Sequence, residues 1–434
     1  MGAETRVVRV REHGWIRRAE VGDTRWRRLR RADRQVERNQ GSSVFDWSRT
    51  DAAKAKSLVG VLAVEGLTVE VLPKVDTTEW EEGSDCAQQN LLFMLQRAGW
   101  LPFRETGTSG LEQESGSLLD VFARLFADRL LEELRRGHDR AYLLREENLR
   151  FLRGRLVLPR HLRLNAIQQD RFFVAHDVLE EDTPLNQILK AAVRLLFGKV
   201  RDRSTLHVLG ILIEEMSFVS DISVDEARTI RAPLGRMNER FRVSRDFARL
   251  VLGGSSPSLR SARETSFSIL FPMEKVFEGY VAGTLRRWAP RFGIERSRIR
   301  VQGKGDRRFL LHAVGTGKGR ALLGPDIWIK ASGDEGGIIL DTKWKLQDSS
   351  ASVSPSPGDV YQMLAYAQAY DPSVALLVYP KIGKSTETEW FFPGDRHRLQ
   401  IVEWPVGKPL ADTESWLFDE VAEWITAGGG EHSS

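Results

Sequence analysis

Residues 322–345 read LLGPDIWIKASGDEGGIILDTKWK, in which two apolar runs, DIWIK (Asp326 to Lys330) and IILDTK (Ile338 to Lys343), flank a turn of Gly, Asp and Ser. β-Branched and aromatic residues bounded by turn formers predict a β-hairpin. With the turn centred between Gly333 and Asp334, antiparallel pairing sets Asp326 opposite Asp341, and opposed residues share a face. Lys343 lies two residues beyond Asp341, so the period of two brings it to that face as well. Two carboxylates facing each other repel, which an apolar-only account of the hairpin leaves unexplained. A divalent cation between them, with a lysine alongside, accounts for the set. Asp-x-Lys by itself also occurs incidentally on exposed hairpins. The Pro325-Asp326 ahead of it at hairpin spacing is what separates this case from those.

Such a set suits phosphodiester cleavage. That reaction needs an activated water, neutralisation of the pentavalent phosphorane and stabilisation of the leaving oxygen. Mg²⁺ held by carboxylates supplies much of this, and a nearby lysine stabilises developing charge or orients the water.

Downstream, DVYQMLAYAQAY (Asp359 to Tyr370) predicts a helix with Gln362 and Tyr366 one turn apart and Asp359 as its N-cap. Taken alone, that pair reads equally well as surface polarity and a core tyrosine. VALLVYP (Val374 to Pro380) is apolar throughout, as a central strand is. Upstream, MEKVFEGYVAGTLRRW predicts a helix from near Pro272 that buries Met273, Val276, Phe277, Tyr280 and Val281. Glu274 and Glu278 sit one turn apart on the flank of that face. Helix, hairpin, helix and strand together predict an α/β core with a mixed sheet.

Toward the N-terminus the pattern is mainly β. LVGVLAV and LTVEVL form a hairpin about Glu65-Gly66, Pro73 ends it, and Leu67, Val69 and Val71 mark one apolar face. RWRRLRRADRQVER (Arg25 to Arg38) reads as a phosphate-contacting surface, a solvated face or a face for an acidic partner. The residues leave those three open. From Cys86 the period becomes helical. One stripe runs through Leu91, Leu92, Leu95 and Ala98, a second from Leu118 to Leu130, and a third helix opens at Asp182-Thr183-Pro184. Between them lie Arg145, Arg150, Arg153, Arg155, Arg160 and Arg163, a DNA-facing or partner-facing surface or simply the outer face of strands. Gly253 to Ser261 reads as a linker and Gln347 to Gly358 as a mobile loop. The overall class is α/β, a multi-domain α+β chain. It divides into a β-rich domain over 1–82, a largely helical middle domain over 83–262 and the site-bearing domain over 263–434.

Composition narrows the function classes. A chain of 434 residues is long enough for two or three domains, and 41% hydrophobic with 29% charged residues excludes a disordered chain. No apolar run reaches the ~18 residues of a membrane span, and the charged N-terminus is no secretory signal. The lone Cys86 excludes an internal disulfide framework and a multi-cysteine zinc site, and fits a reducing cytoplasm. No Gly-x-x-x-x-Gly-Lys-Ser/Thr occurs, so no nucleotide is expected to bind to this chain alone.

Taken in order, Glu278 in a helix, Pro325-Asp326, Asp341-Thr342-Lys343 and Gln362-x-x-x-Tyr366 resemble the PD-(D/E)xK nuclease superfamily in its Gln-x-x-x-Tyr form. More narrowly, the chain resembles the McrC family, the nuclease subunits of McrBC modification-dependent restriction systems. The likeness runs through VGVLAVEGLTVEVLPK, FLRGRL with HLRLN, DTPLNQILK, MEKVFEGYV, GPDIWI, LDTKWK, DVYQMLAYA and LLVYP. It implies a Mg²⁺ ion (Mn²⁺ as substitute) on Asp326 and Asp341, Lys343 as the catalytic lysine, and Glu278 rather than Glu274 as the helix carboxylate. Gln362 and Tyr366 would support the site or contact DNA. It further implies a 263–434 domain with the restriction-endonuclease-like sheet, docking through 1–82 to a McrB-like hexameric AAA+ GTPase, and stimulation of that partner. The implied substrate is modified double-stranded DNA, with dimerisation of the nuclease domains a further expectation. The arginine-rich segment falls outside the matching pattern.

Two alternatives make different expectations. A RecB-like repair or defence nuclease would work with ATP rather than GTP in its partner. A regulatory adaptor of an AAA+ ring would stimulate NTP hydrolysis through residues 1 to about 260 and leave DNA intact.

Overall fold

The computed structural model describes residues 5–74, 84–101, 116–257, 265–302, 307–330, 337–345, 355–381, 388–392 and 397–406. The hairpin turn at 331–336, the side chain of Cys86, the linker residues 258–261 and most of the expected loop at 347–358 lie outside them. The chain forms two compact units, one of residues 1–101, 105–118 and 256–434, the other of 102–104 and 119–255.

The first unit contains both the N-terminal β-structure and the expected site. Its five-stranded sheet runs Arg6–Arg11, Leu67–Leu72, Leu58–Val64, Thr265–Pro272, Ser255–Pro257. The hairpin about Glu65-Gly66 forms as read, with Val64 opposite Leu67 and Gly66 at φ 78°. The one-sided reading of Leu67–Leu72 needs correction, because all six of its residues are buried. It lies between a parallel and an antiparallel neighbour, and its Glu70 accepts from Arg9 Nε (2.9 Å) and from the backbone N–H of Leu118 (2.6 Å). The Arg25–Arg38 stretch is not β but part of an 18-residue helix, Asp23–Gln40, whose buried side is Trp26, Leu29, Ala32, Asp33 and Val36. Asp33 there accepts from Trp47 Nε1 at 2.6 Å and from two backbone N–H groups, so a buried carboxylate ties helix to strand.

Thr265–Pro272 pairs antiparallel with Leu58–Val64, about two hundred residues away in sequence, and runs directly into the helix Met273–Trp288. That pairing is why the expected segments 1–82 and 263–434 share one compact unit rather than forming separate domains. The helix Ser84–Arg97 packs on Met273–Trp288 at two glycines: a Cβ on Gly283 would lie 1.8 Å from the Arg97 carbonyl oxygen, and one on Gly279 2.7 Å from Ala98 Cβ.

A second, six-stranded sheet runs Ile299–Val301, Ile327–Lys330, Gly337–Thr342, Val374–Lys381, Arg398–Pro405, Thr388–Phe391. Its first two pairings are antiparallel, the next two parallel and the last antiparallel, so the sheet is mixed. The helix Pro357–Tyr370 covers the face of Trp328, Ile339 and Leu377 with Met363, Tyr366 and Tyr370. Met273–Trp288 packs against Ile299–Val301 and Gly337–Thr342, burying all five apolar residues read for it.

The second unit is largely helical. Its helices include Pro184–Phe197, whose Thr183 cap accepts from the Asn186 N–H, and Arg242–Gly253, with Phe122, Phe126 and Phe247 in its core. A three-stranded sheet, Ala141–Leu149, Phe172–Glu180, Arg155–Leu156, carries arginines of the expected basic surface. Among the described residues no helix is long and apolar enough to cross a membrane.

Candidate active site

The hairpin register decides what meets what. Ile327 pairs with Leu340 and Lys330 with Gly337, the register in which Asp326, one residue ahead of its strand, comes level with Asp341. The sheet changes there from antiparallel to parallel pairing, since Gly337–Thr342 also pairs with Val374–Lys381.

Asp341 is 1% exposed. Its Oδ1 accepts from Gln362 Nε2 at 3.2 Å, and its Oδ2 lies 2.6 Å from Lys343 Nζ. Burial pushes its carboxyl up to about 6, the Asp326 charge adds to the rise, and Lys343 opposes both. Asp326 is half-buried, and its Oδ2 accepts from the Thr342 N–H at 2.9 Å and the Thr342 hydroxyl at 2.8 Å. For Lys343, burial works against the charge, but Asp341, Asp359 and Asp326 together hold the ammonium above its usual value. Its Nζ donates to Gln362 Oε1 at 2.9 Å. Gln362 therefore spans the lysine and the aspartate, and its Nε2 also donates to Tyr366 Oη at 2.8 Å. Tyr366 passes the chain on to the Gly324 carbonyl at 3.3 Å. The spacing of four on one helix makes this possible, because residues one turn apart lie one above the other.

Glu278 and Glu274 fare differently. Glu278 is 4% exposed, while Glu274 faces solvent. Burial raises the Glu278 carboxyl, as does the Asp326 charge, and Lys275, whose Nζ lies 2.5 Å from Oε2, holds it back. A hydrogen bond from the Gln302 side chain holds it back as well. The structure thus brings Glu278, Asp326, Asp341, Lys343, Gln362 and Tyr366 to one neighbourhood.

The sequence reading passes over Glu12. It is 2% exposed and accepts from Trp344 Nε1 at 3.0 Å and the Lys74 N–H at 3.2 Å, and burial pushes its carboxyl up to about 7. Asp359 is not the N-cap of its helix. Ser356 is, accepting from the Asp359 N–H, with Pro357 as the first helical residue. The Asp359 carboxylate instead meets Lys345 Nζ at 2.6 Å and the Tyr379 hydroxyl at 3.1 Å. Ser-Pro-Gly-Asp, a capping serine with an acid three residues on, is the available signal for that start.

Among the described residues no three His, Cys, Asp or Glu side chains form a closed metal cage. Asp326 is turned toward Thr342. The donor set still suits a hard divalent cation, which takes carboxylate oxygens. The Asp326 charge pushes the carboxyls of both Asp341 and Glu278 up, so the three lie close enough to repel. Asp326, Asp341 and Glu278 are the residues that could hold such an ion.

Fold and site define a mixed-sheet α/β protein with a buried carboxylate–lysine cluster at a sheet switch point. The chain belongs to the family described as McrBC 5-methylcytosine restriction system component, whose model matches residues 53–380. It is similar to a chain in the refined half-complex from a tetradecameric assembly of Thermococcus gammatolerans McrB AAA+ hexamers with bound McrC. That match has 21% identity and a TM-score of 0.64, covering 96% of this chain and 100% of that one. It is also similar to a chain of the cryo-EM structure of the Thermococcus gammatolerans McrBC complex, at 24% identity and a TM-score of 0.52, over 65% of this chain and 88% of that one. At these identities the likeness shows the fold. No curated protein matches the chain.

Proposed function

We propose that this chain is the McrC-like nuclease subunit of a McrBC system, a Mg²⁺-dependent endonuclease of the PD-(D/E)xK type that cuts duplex DNA carrying methylated cytosine. The observation that carries the reading is the Asp326–Asp341–Lys343 set, bridged by Gln362 at the sheet's switch point. Asp326 and Asp341, with Glu278 at their side, would hold Mg²⁺, or Mn²⁺ in its place. The ion, when bound, neutralises phosphate charge and eases loss of a proton from water. Lys343 stays an ammonium at neutral pH, because its carboxylate neighbours favour the charge. It therefore donates to the attacking water or the developing phosphorane charge rather than taking a proton. Gln362 fixes the Lys343 and Asp341 side chains from one amide, and Tyr366 fixes Gln362.

The partner in this reading is a McrB-like AAA+ ring whose GTP hydrolysis the chain stimulates, as the described McrB hexamers with bound McrC suggest. The resemblance implies docking through 1–82. Besides Phe309, Leu311, Val314 and Leu322 around one hairpin of the first unit, exposed large apolar side chains gather in the 119–255 unit, where Tyr142, Leu144 and Leu179 share its sheet and Phe151, Leu152 and Leu162 follow in sequence. An exposed cluster of that kind marks an interaction surface, and we assign the ring-docking face to it.

In the assembled complex, Asp326→Ala and Lys343→Ala are each expected to lower DNA cleavage by about a thousandfold, the scale of removing a transition-state charge partner. Stimulation of the partner's NTP hydrolysis should persist. Undiminished cleavage by either variant would remove the assignment. Preserved stimulation with no cleavage even by the parent protein would favour the adaptor.

A further inference from the structure

The structure carries a second feature beside the carboxylates. We propose that the cleft next to Asp326 is a subsite for a DNA phosphate adjoining the one that is cut, read chiefly by Arg307. The proposal rests on the nuclease reading and deepens it.

The cleft has a volume of about 390 Å³ and is lined by Lys275, Gln302, Arg307, Leu322 and Gly324, with Asp326 at its edge. That size lies within the ~300–1,000 Å³ of small-ligand sites, room enough for a sugar-phosphate unit. Its charged lining is two cations against one carboxylate. Lys275 is already engaged by Glu278. Arg307 is exposed and has no ion-pair partner among the described residues. Some exposed arginines take acidic partners, as Arg18 does with Asp23 and Arg242 with Glu239, while others, such as Arg150 and Arg163, share the open state of Arg307 but do not line this cleft.

Arg307 also stands on a fixed base. Its neighbour Arg308 is committed to structure. The Arg308 N–H donates to Tyr370 Oη at 3.2 Å, its guanidinium donates to the Ala369 carbonyl at 2.7 Å, and it sits over the rings of Trp328 (5.5 Å) and Tyr370 (5.0 Å). Tyr370 belongs to the same helix as Gln362 and Tyr366, so the backbone carrying Arg307 is tied to the site helix. The opposite wall is equally determined. Gln302 adopts a left-handed backbone, φ 57°, with its N–H on the Asp326 carbonyl at 2.7 Å. A non-glycine residue held there is conformationally strained, and such residues gather at ligand sites.

An anionic ligand of tetrahedral or planar oxygens suits an unpaired guanidinium, whose donors form a rigid fork. Phosphates of one strand succeed one another every ~3.4 Å along the duplex axis. A strand cut at Asp326 and Asp341 therefore carries the next phosphate past the cleft mouth.

The test measures duplex binding by anisotropy over a range of salt concentrations. It uses the full chain with its partner in an Asp341→Asn background, with and without Arg307→Ala. Arg307→Ala is expected to weaken binding by roughly three- to tenfold and to lower the slope of log affinity against log salt by about one, the share of one phosphate. Arg307→Lys should recover the slope but not all the affinity. A methylphosphonate at the phosphate beside the cut should abolish the difference between the proteins with and without Arg307→Ala. Equal affinity and slope, or weaker binding with an unchanged slope, overturns the subsite and leaves the nuclease reading standing. DNA cutting by the Asp341→Asn protein itself overturns that reading, and the subsite with it.

Discussion

Glu12 lies beneath the end of the lysine-bearing strand with one oxygen on Trp344 and Lys74 and the other, Oε1, without a hydrogen-bond partner among the described residues. Burial, its largest influence, lifts the carboxyl from 4.5 to about 7, and nearby Glu274 adds to the rise. A carboxyl with a raised folded value binds its proton more tightly in the folded than in the unfolded chain. Its contribution to stability is therefore fully present below about pH 4.5 and is lost as pH rises to about 7. Glu12→Gln keeps the acceptor for Trp344 and Lys74 and removes the charge. It should raise unfolding free energy at pH 8 by up to about 3 kcal/mol and flatten the pH 4.5–7 slope. Urea titrations at several pH values measure this, and an identical slope in the variant would show that Glu12 is not the group responsible. Nothing in the sequence around Glu12 marks it, because the burial comes from strands and a tryptophan over three hundred residues away.

Elements are legible where one period governs them. The hairpin of Asp326 and Asp341 has the register given by counting from its turn, since a slip of one residue would turn every side chain over. The helices bearing Glu278 and Gln362 follow their apolar stripes. The Asp23–Gln40 helix is hidden because its stripe contains only Trp26, Leu29, Ala32 and Val36 among arginines, and a buried Asp33 interrupts it. The close packing of Met273–Trp288 on Ser84–Arg97 is equally invisible, as a glycine's contact partner cannot be read from the glycine. It makes a clear test. Gly283→Ala puts a methyl 1.8 Å from the Arg97 carbonyl oxygen, so the helices must part, at a cost of about 3 kcal/mol. Gly210→Ala, in the helix Arg203–Glu215 with nothing within 4 Å, should instead stabilise by about 1 kcal/mol. Denaturant midpoints compare the two, and a Gly283→Ala protein as stable as its parent would contradict the packing.

At the scale of the molecule, the expected boundaries at 82 and 262 follow changes of pattern, whereas the compact units follow a strand pairing between distant segments. Periodicity carries no information about such pairing, and loop-closure entropy grows only slowly with the distance spanned. The outcome puts the N-terminal sheet and the carboxylate site in one unit, so Glu12 can reach Trp344. The other unit is left with the exposed apolar sheet. In the proposed reading, cutting and docking belong to different units of one chain. The decisive measurement is cleavage of a duplex carrying methylated cytosine, alongside its unmethylated twin, by the complete complex with Mg²⁺ and GTP, comparing the parent with Asp341→Asn. Cleavage of the methylated duplex alone, lost in Asp341→Asn while GTP hydrolysis continues, is the expected result. Equal cleavage by parent and variant would contradict it.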